Sequence, residues 1–595
     1  MRRFLASAVL ILSAAATPPA LSAPAVPATT ATTAATATAD ARFDALWRAE
    51  WAWREREGIA DSAPGTVDSH LPDISAAAHA RRLAYWRDTL AKLDAIDSAQ
   101  LSPGTLVDWQ VYRAQIAGNV EEERFREWEK PVNGDSAFWS DIDYAARGDF
   151  ANGVGDYRNY LSWLADIPRY FAQQTDNMAA GLARGFTPPA VIMPGRDKAV
   201  ETIATATDPT KVIYYQPFSK LPATMPAAAQ EELRAAARKV IAEQVIPAHR
   251  TLLAFLRTRY FPGLTKVLGA ENYPDGQAYY RSRIRVFTTL DMAPDEIHRL
   301  GLSEVAGIRA EMEKVKADAG FRGDLPAFLA FLRSDPQFYP TSGEQLLKEA
   351  AWAAKRFDGM APKWFGRLPR GRFAIEPVPA DIAPFYTAGR GGPGVYLVNT
   401  YNLPSRPLFQ LPALTLHESA PGHSWQMSLA AENTDLKPFR RNSYISAFGE
   451  GWALYCERLG DDMGFYRTPY ERFGMLSYQM WRAARLVVDT GIHSKGWTRE
   501  QARQFLHDNT ALSDHEIMTE VDRYIGWPGQ ALSYYLGEMA IQRARTKAEA
   551  ALGPKFDIRH FHDTVLSLGS VPLPVLEARI DRFIAEGGPS PWPAG

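Results

Sequence analysis

Apolar residues recur at steps of three and four along nearly the whole chain, a period that buries one face of a helix and cannot bury one face of a strand. Phe43, Leu46, Trp47 and Trp51 show it early, and Leu161, Leu164, Ile167 and Phe171 repeat it. Strand-like alternation is scarce from about 41 to 270. Beyond that, Arg283-Ile284-Arg285-Val286-Phe287-Thr288 has the composition of a short strand, and Pro294-Asp295-Glu296 reads as the first turn of a helix. From Phe373 to Leu403, Pro, Gly and β-branched residues break the helical period, and Gly394-Val395-Tyr396-Leu397-Val398-Asn399-Thr400 predicts a strand. Helical patterns resume from about 411 to 585, with Thr498 and Gln501 spaced as a capping box. The expected fold is mainly α, with a small β-sheet just ahead of residue 411.

At 595 residues the chain exceeds the roughly 250–300 at which single cores stop growing. Two large lobes are expected, an N-terminal helical lobe over 41–270 and a second over 271–586. Residues 1–23 follow a signal-peptide plan: Arg2 and Arg3, an apolar run from Phe4 to Leu12, then small residues ending Leu21-Ser22-Ala23. That run is shorter than the roughly 20 residues needed to span a bilayer. Residues 24–40, rich in Ala, Thr and Pro, predict a flexible linker, and 587–595 a disordered tail. A periplasmic or secreted product follows, with no membrane partner once the leader is cleaved. Its single cysteine, Cys456, permits no intramolecular disulfide, and its apolar neighbours predict a buried side chain. With 66 basic against 68 acidic residues, nothing in the charge points to nucleic acid.

The chain has eleven histidines, and two stand six apart beside an acid in His417-Glu418-Ser419-Ala420-Pro421-Gly422-His423. Two imidazoles with an adjacent glutamate are the equipment of a zinc hydrolase, in which the histidines hold the metal and the glutamate takes a proton from water. The usual step between such histidines is four, which places both on one helical face. On an unbroken helix a six-residue step leaves them about 120° apart. Pro421 has no amide for the His417 carbonyl and Gly422 is conformationally free, so the helix is expected to break between the ligands. A third ligand is sought on a neighbouring element. Glu450, inside Phe448-Gly449-Glu450-Gly451-Trp452, is the best candidate, because a buried carboxylate needs a cation. Glu457, two turns on, is the runner-up or a hydrogen-bond partner of a ligand.

Arg485, Asp489 and His493 share a helical face. They form either an ion-pair ladder or a site wall in which Asp489 orients a ligand histidine and His493 donates to substrate. Tyr534 or Tyr524 is a candidate donor to an oxyanion. Arg523 is a candidate anchor for a peptide carboxylate, or pairs with Asp522 or Glu520.

These segments, with Asp489-Thr490-Gly491, Pro528-Gly529-Gln530-Ala531 and Tyr534, resemble the bacterial domain-of-unknown-function 885 family, grouped with the glutamate-zinc metallopeptidases. The resemblance covers most of the mature chain. It implies a large helical, two-lobed fold with a deep cleft, like the oligopeptidases and angiotensin-converting-type carboxypeptidases. It implies one zinc ion per chain on His417, His423 and Glu450, Glu418 as general base, and a strand from Val395 to Asn399 pairing with the substrate backbone. In better-studied relatives a histidine and a tyrosine assist the oxyanion; here Arg523-Tyr524 stands about where that histidine would be. The longer histidine spacing departs from those relatives and agrees with this family's own pattern. The expected activity is zinc-dependent hydrolysis of peptide bonds. Hydrolysis of a non-peptide amide and an exported, non-catalytic helical binding protein are the alternatives.

Overall fold

The computed structural model describes residues 37–60, 66–134, 136–146, 150, 153–380, 382–441 and 443–592. The expected signal peptide and most of the linker lie outside the described residues. Helix α1 (Ala39–Arg56) starts slightly ahead of residue 41 because the Thr38 hydroxyl accepts from the Ala41 amide. It packs with α2 (Ala76–Asp94) and α3 (Pro103–Phe125), burying Phe43, Trp47, Trp86 and Tyr112 around Phe439, which arrives from far along the chain.

Residues 283–288 are helical, not a strand, and belong to α4 (Gly276–Thr288). Tyr280, Arg283 and Ile284 fall at helical steps on its buried side, where the Arg283 guanidinium lies 3.9 Å from both Glu122 and Glu127. Those distant carboxylates make a buried arginine tolerable, which local composition does not reveal. Helix α5 (Pro294–Asp318) begins with its N1 proline and lies along α10 (Pro469–Ser494). The capping box at Thr498 and Gln501 is formed in both directions.

The interrupted segment folds into three short strands, β1 (Ala374–Pro377), β2 (Gly389–Gly392) and β3 (Val395–Val398), in the order β1-β3-β2. β1 runs parallel to β3, and β2 antiparallel with Gly391 opposite Tyr396. One face of the sheet meets α6 (Gly343–Met360); β2 meets α7 (Leu411–Glu418) and α8 (His423–Glu432). Helix α9 (Ser446–Asp462) packs on α12 (Ser533–Leu552), while α11 (Asp514–Gly526) flanks α10.

The largest hydrophobic core runs from Leu71 to Leu536 and crosses residue 270 without a break. A second core, carrying Cys456, Trp452 and Phe561, underlies α8 and α9. The described end of the chain is packed where a disordered tail was expected: the Arg367 guanidinium lies 4.1 Å over the Trp592 ring, and His560 bonds the Gly588 carbonyl at 3.0 Å. No described helix is long and apolar enough to cross a membrane.

Candidate metal centre

Helix α7 stops at Glu418 and α8 starts at His423. The link between them is held from outside, since the Pro421 carbonyl accepts from Trp452 Nε1 at 2.8 Å, and from within, since the Gly422 amide donates to the Leu416 carbonyl at 3.0 Å. A Cβ at Gly422 would sit 1.9 Å from the His417 carbonyl oxygen, so only glycine closes this turn. The break swings the two imidazoles onto one another, with ring centres 4.9 Å apart at right angles. From α9, Glu450 Oε2 reaches to 3.7 Å from His417 Nε2 and 3.4 Å from His423 Nε2. One donor atom from each of the three lies within 4.8 Å of the others; among the described residues no other group converges in this way.

The surroundings call for positive charge. Both histidines are buried, and Glu450 is largely so. Burial alone would lower the His417 pKa, but the carboxylates of Glu450 and Glu457, with Glu418, outweigh it and push it up to about 9. Burial likewise opposes ionisation of Glu450, yet His423 and His417 hold it well below the usual carboxylate range. Behind the cluster, His417 Nδ1 lies 2.8 Å from Oε1 of the fully buried Glu457, and the same oxygen lies 3.4 Å from the Arg482 guanidinium. A carboxylate at this distance behind the ring is placed to orient it, although the 2.8 Å approach does not have hydrogen-bond geometry.

Glu418 points to the same space. Its Oε2 accepts from the Gly391 amide of β2 at 2.7 Å. The strand comes so close that a Cβ on Gly391 would lie 1.5 Å from the Glu418 carbonyl oxygen. Tyr534 of α12 lies nearly parallel to the His417 ring, 6.5 Å away, and carries the Arg485 guanidinium 4.1 Å over its face. Burial and the Glu450 carboxylate raise its pKa, keeping the hydroxyl protonated as a donor. Tyr444 completes the rim: it is 40% exposed, its ring covers Gly449 and its centre lies 6.3 Å from that of His423. Sequence reasoning missed Tyr444, one of 24 tyrosines and six positions before Glu450 in a stretch without helical period.

Several expected roles are corrected. His493 is fully buried and occupied at both nitrogens, with Nε2 2.9 Å from the Tyr524 carbonyl and Nδ1 accepting from the Ala270 amide at 3.1 Å. Burial drops its pKa to about 4, so it is a neutral structural pin and no donor to substrate. Asp489 does not turn to either histidine of the cluster; it accepts from the Tyr280 hydroxyl at 2.5 Å and from the Gly529 amide at 3.2 Å. Burial pushes its carboxyl up to about 7. Arg485, Asp489 and His493 therefore form no ladder, since each turns to a different partner. Tyr524 is buried, with its hydroxyl accepting from Trp481 Nε1 and Arg485 Nε, both at 2.8 Å, and cannot meet an oxyanion. Arg523 pairs with Glu520 at 2.9 Å and donates to Gln530 at 2.6 Å, while Asp522 is taken by Arg499. Asn399 is spent on the carbonyls of Ala383, Tyr386 and Thr387. Val395 begins the central strand, already paired on both edges, and its carbonyl accepts from Ser424 Oγ at 3.2 Å. The strand with an edge toward the cluster is β2.

Two imidazoles and one carboxylate converging from three helices match the donor set of catalytic zinc sites, in which three protein ligands leave a fourth position open. Fold and site thus define a large, mainly helical protein with a buried two-histidine, one-glutamate cluster beside a small sheet. The chain belongs to the bacterial protein family of unknown function DUF885, which matches residues 53–580. A crystal structure of a protein from Colwellia psychrerythraea, described as a candidate lipoprotein, superposes with a TM-score of 0.83 at 24% identity, covering 92% of this chain and all of the other. A second candidate lipoprotein, of unknown function, from Shewanella oneidensis gives 0.67 at 17%, covering 91% and 99%. No curated protein matches. At these identities the likeness is one of fold.

Proposed function

We propose that the chain is an exported zinc-dependent peptidase that cuts peptide bonds with water activated by Glu418. The observation that carries this reading is the convergence of His417, His423 and Glu450 donor atoms within 4.8 Å, with Glu418 beside them. Zinc held there supplies a Lewis acid that acidifies water and polarises a carbonyl. Glu418 takes the proton as the water oxygen bonds to the peptide carbon, then returns it to the amide nitrogen as the C–N bond breaks. Gly391 restrains one carboxylate oxygen, leaving the second for the proton. Tyr534 donates to the carbonyl oxygen as negative charge develops on it, and Tyr444 flanks the opposite side. In this reading the substrate lies in a cleft between two helical lobes, as in oligopeptidases, with its backbone beside β2, the edge strand nearest the cluster. The leader-like first 23 residues, and the description of the structural neighbours as candidate lipoproteins, support export.

Two measurements bear on the metal. The purified parent, dialysed after exposure to zinc, is expected to carry about one zinc per chain, and His423→Ala nearly none. Absence of metal from the parent overturns the reading. Glu457→Gln removes the charge behind His417 while keeping its shape, and is expected to weaken zinc binding about 10–100-fold in competition with a chelator. Unchanged affinity would show that Glu457 does not act on the ligand.

A further inference from the structure

Tyr534 can donate to a carbonyl oxygen only if its proton faces the cluster, and its neighbours decide which way that proton points. Glu520 and Arg523 stand one turn apart on α11 and pair at 2.9 Å. The Arg523 guanidinium also donates to Gln530 Oε1 at 2.6 Å. Gln530 opens the short turn that leads into α12, and Tyr534 follows it by four residues. Asp489 pins the approach to that turn through the Gly529 amide. Gln530 is buried, as are Glu520 and Arg485. Arg485 donates to Glu520 at 2.9 Å and lies 4.1 Å over the Tyr534 ring, which restrains the plane of the phenol.

Arginine has donors and no acceptor, so the Gln530 amide presents its oxygen to Arg523 and turns its NH2 elsewhere. Gln530 hydrogen-bonds the Tyr534 hydroxyl in the sense that favours negative charge on the phenol oxygen, which is the sense of a donor. A phenol O–H lies near the ring plane in one of two directions. With Gln530 donating from one side, the proton takes the other, and Glu450 of the cluster is close enough for its charge to act on that oxygen. We propose that Gln530, its amide turned by Arg523, is the positioning residue that aims the Tyr534 proton at the carbonyl oxygen of the peptide being cut; the inference rests on the peptidase reading. From Arg523 through Gln530 to Tyr534 each group donates to the next, and hydrogen bonds aligned in this way polarise one another. A glutamate at 530 would accept from both neighbours and turn the proton inward. An apolar side chain there would leave it unsteered.

The test uses the full-length, zinc-loaded protein and a peptide that the parent cleaves. Gln530→Glu is expected to lower kcat about 10–100-fold with KM within about twofold of the parent's, approaching the loss in Tyr534→Phe. Gln530→Met, which adds no charge, is expected to lose about tenfold or less. Combined with Tyr534→Phe, neither change is expected to cost anything more, since the proton it steers is gone. Losses that multiply in the double variants overturn the proposal and make Gln530 a structural partner of Arg523. A second readout needs no turnover: NMR of tyrosine isotopically labelled at Cζ, with the Tyr534 resonance assigned by its loss in Tyr534→Phe. Gln530→Glu is expected to move that resonance downfield, as the hydroxyl changes from acceptor to donor, and Gln530→Met to move it the same way. A resonance unmoved in both variants overturns the proposal. A moved resonance, in a protein that cleaves no peptide, sinks the peptidase and keeps the direction of the proton.

Discussion

Glu418→Gln is expected to keep zinc at the parent level and to lower kcat by about 10²–10⁴-fold, the range of a general base removed. The amide retains the size of the carboxylate and an oxygen for the Gly391 amide, so α7 and β2 keep their contact. It cannot take a proton from water. The ligand atoms belong to His417, His423 and Glu450, so metal content should not move. Metal analysis and single-turnover cleavage on the same preparation check both halves. Parent-like cleavage by the variant would remove Glu418 from the chemistry, and loss of zinc would make it a ligand or a structural support.

Gly537→Ala is expected to cost about 3 kcal/mol or more, the upper range for overpacking a close contact. Gly537 and Gly451 meet where α12 crosses α9. A Cβ on Gly537 would lie 1.9 Å from the Ala447 carbonyl oxygen, and one on Gly451 would lie 2.4 Å from the Gly537 carbonyl carbon. Backbone cannot yield as a flexible side chain does. The crossing also sets the site, because Glu450 adjoins Gly451 and Tyr534 stands one turn before Gly537. The variant should therefore unfold at lower urea and bind zinc more weakly. Gly307→Ala is the control: it lies exposed in α5 with nothing near its Cβ, and relief of glycine's helix penalty should raise stability by up to about 1 kcal/mol. A Gly537→Ala midpoint equal to the parent's would mean that the helices do not cross this closely.

Features set within a few residues were legible in the sequence, and those set by partners far along the chain were not. The helical character, the small sheet ahead of α7 and the break between His417 and His423 were legible because each is dictated within a few residues: apolar period, strand composition, and a proline and glycine between two ligands. The error at residues 283–288 arose because an alternating Arg-Ile-Arg-Val pattern says strand, while the carboxylates that accept Arg283 belong to α3 and the turn after it. His493 was open to a functional reading for the same reason; its partners, the backbone of Ala270 and Tyr524, are invisible from its own helix.

By itself the sequence determined that this chain is mainly helical, that its helix breaks between two histidines, and that a glutamate follows the first of them. Only the tertiary structure decided which carboxylates face those rings, which tyrosines line the rim, that β2 rather than β3 presents its edge, and that Asp489, His493, Tyr524 and Asn399 are consumed in internal bonds. The physical reason is that helix breaks and strand starts follow from local backbone sterics. The role of a polar side chain depends on who satisfies it, and a buried group takes its partner from wherever packing brings one.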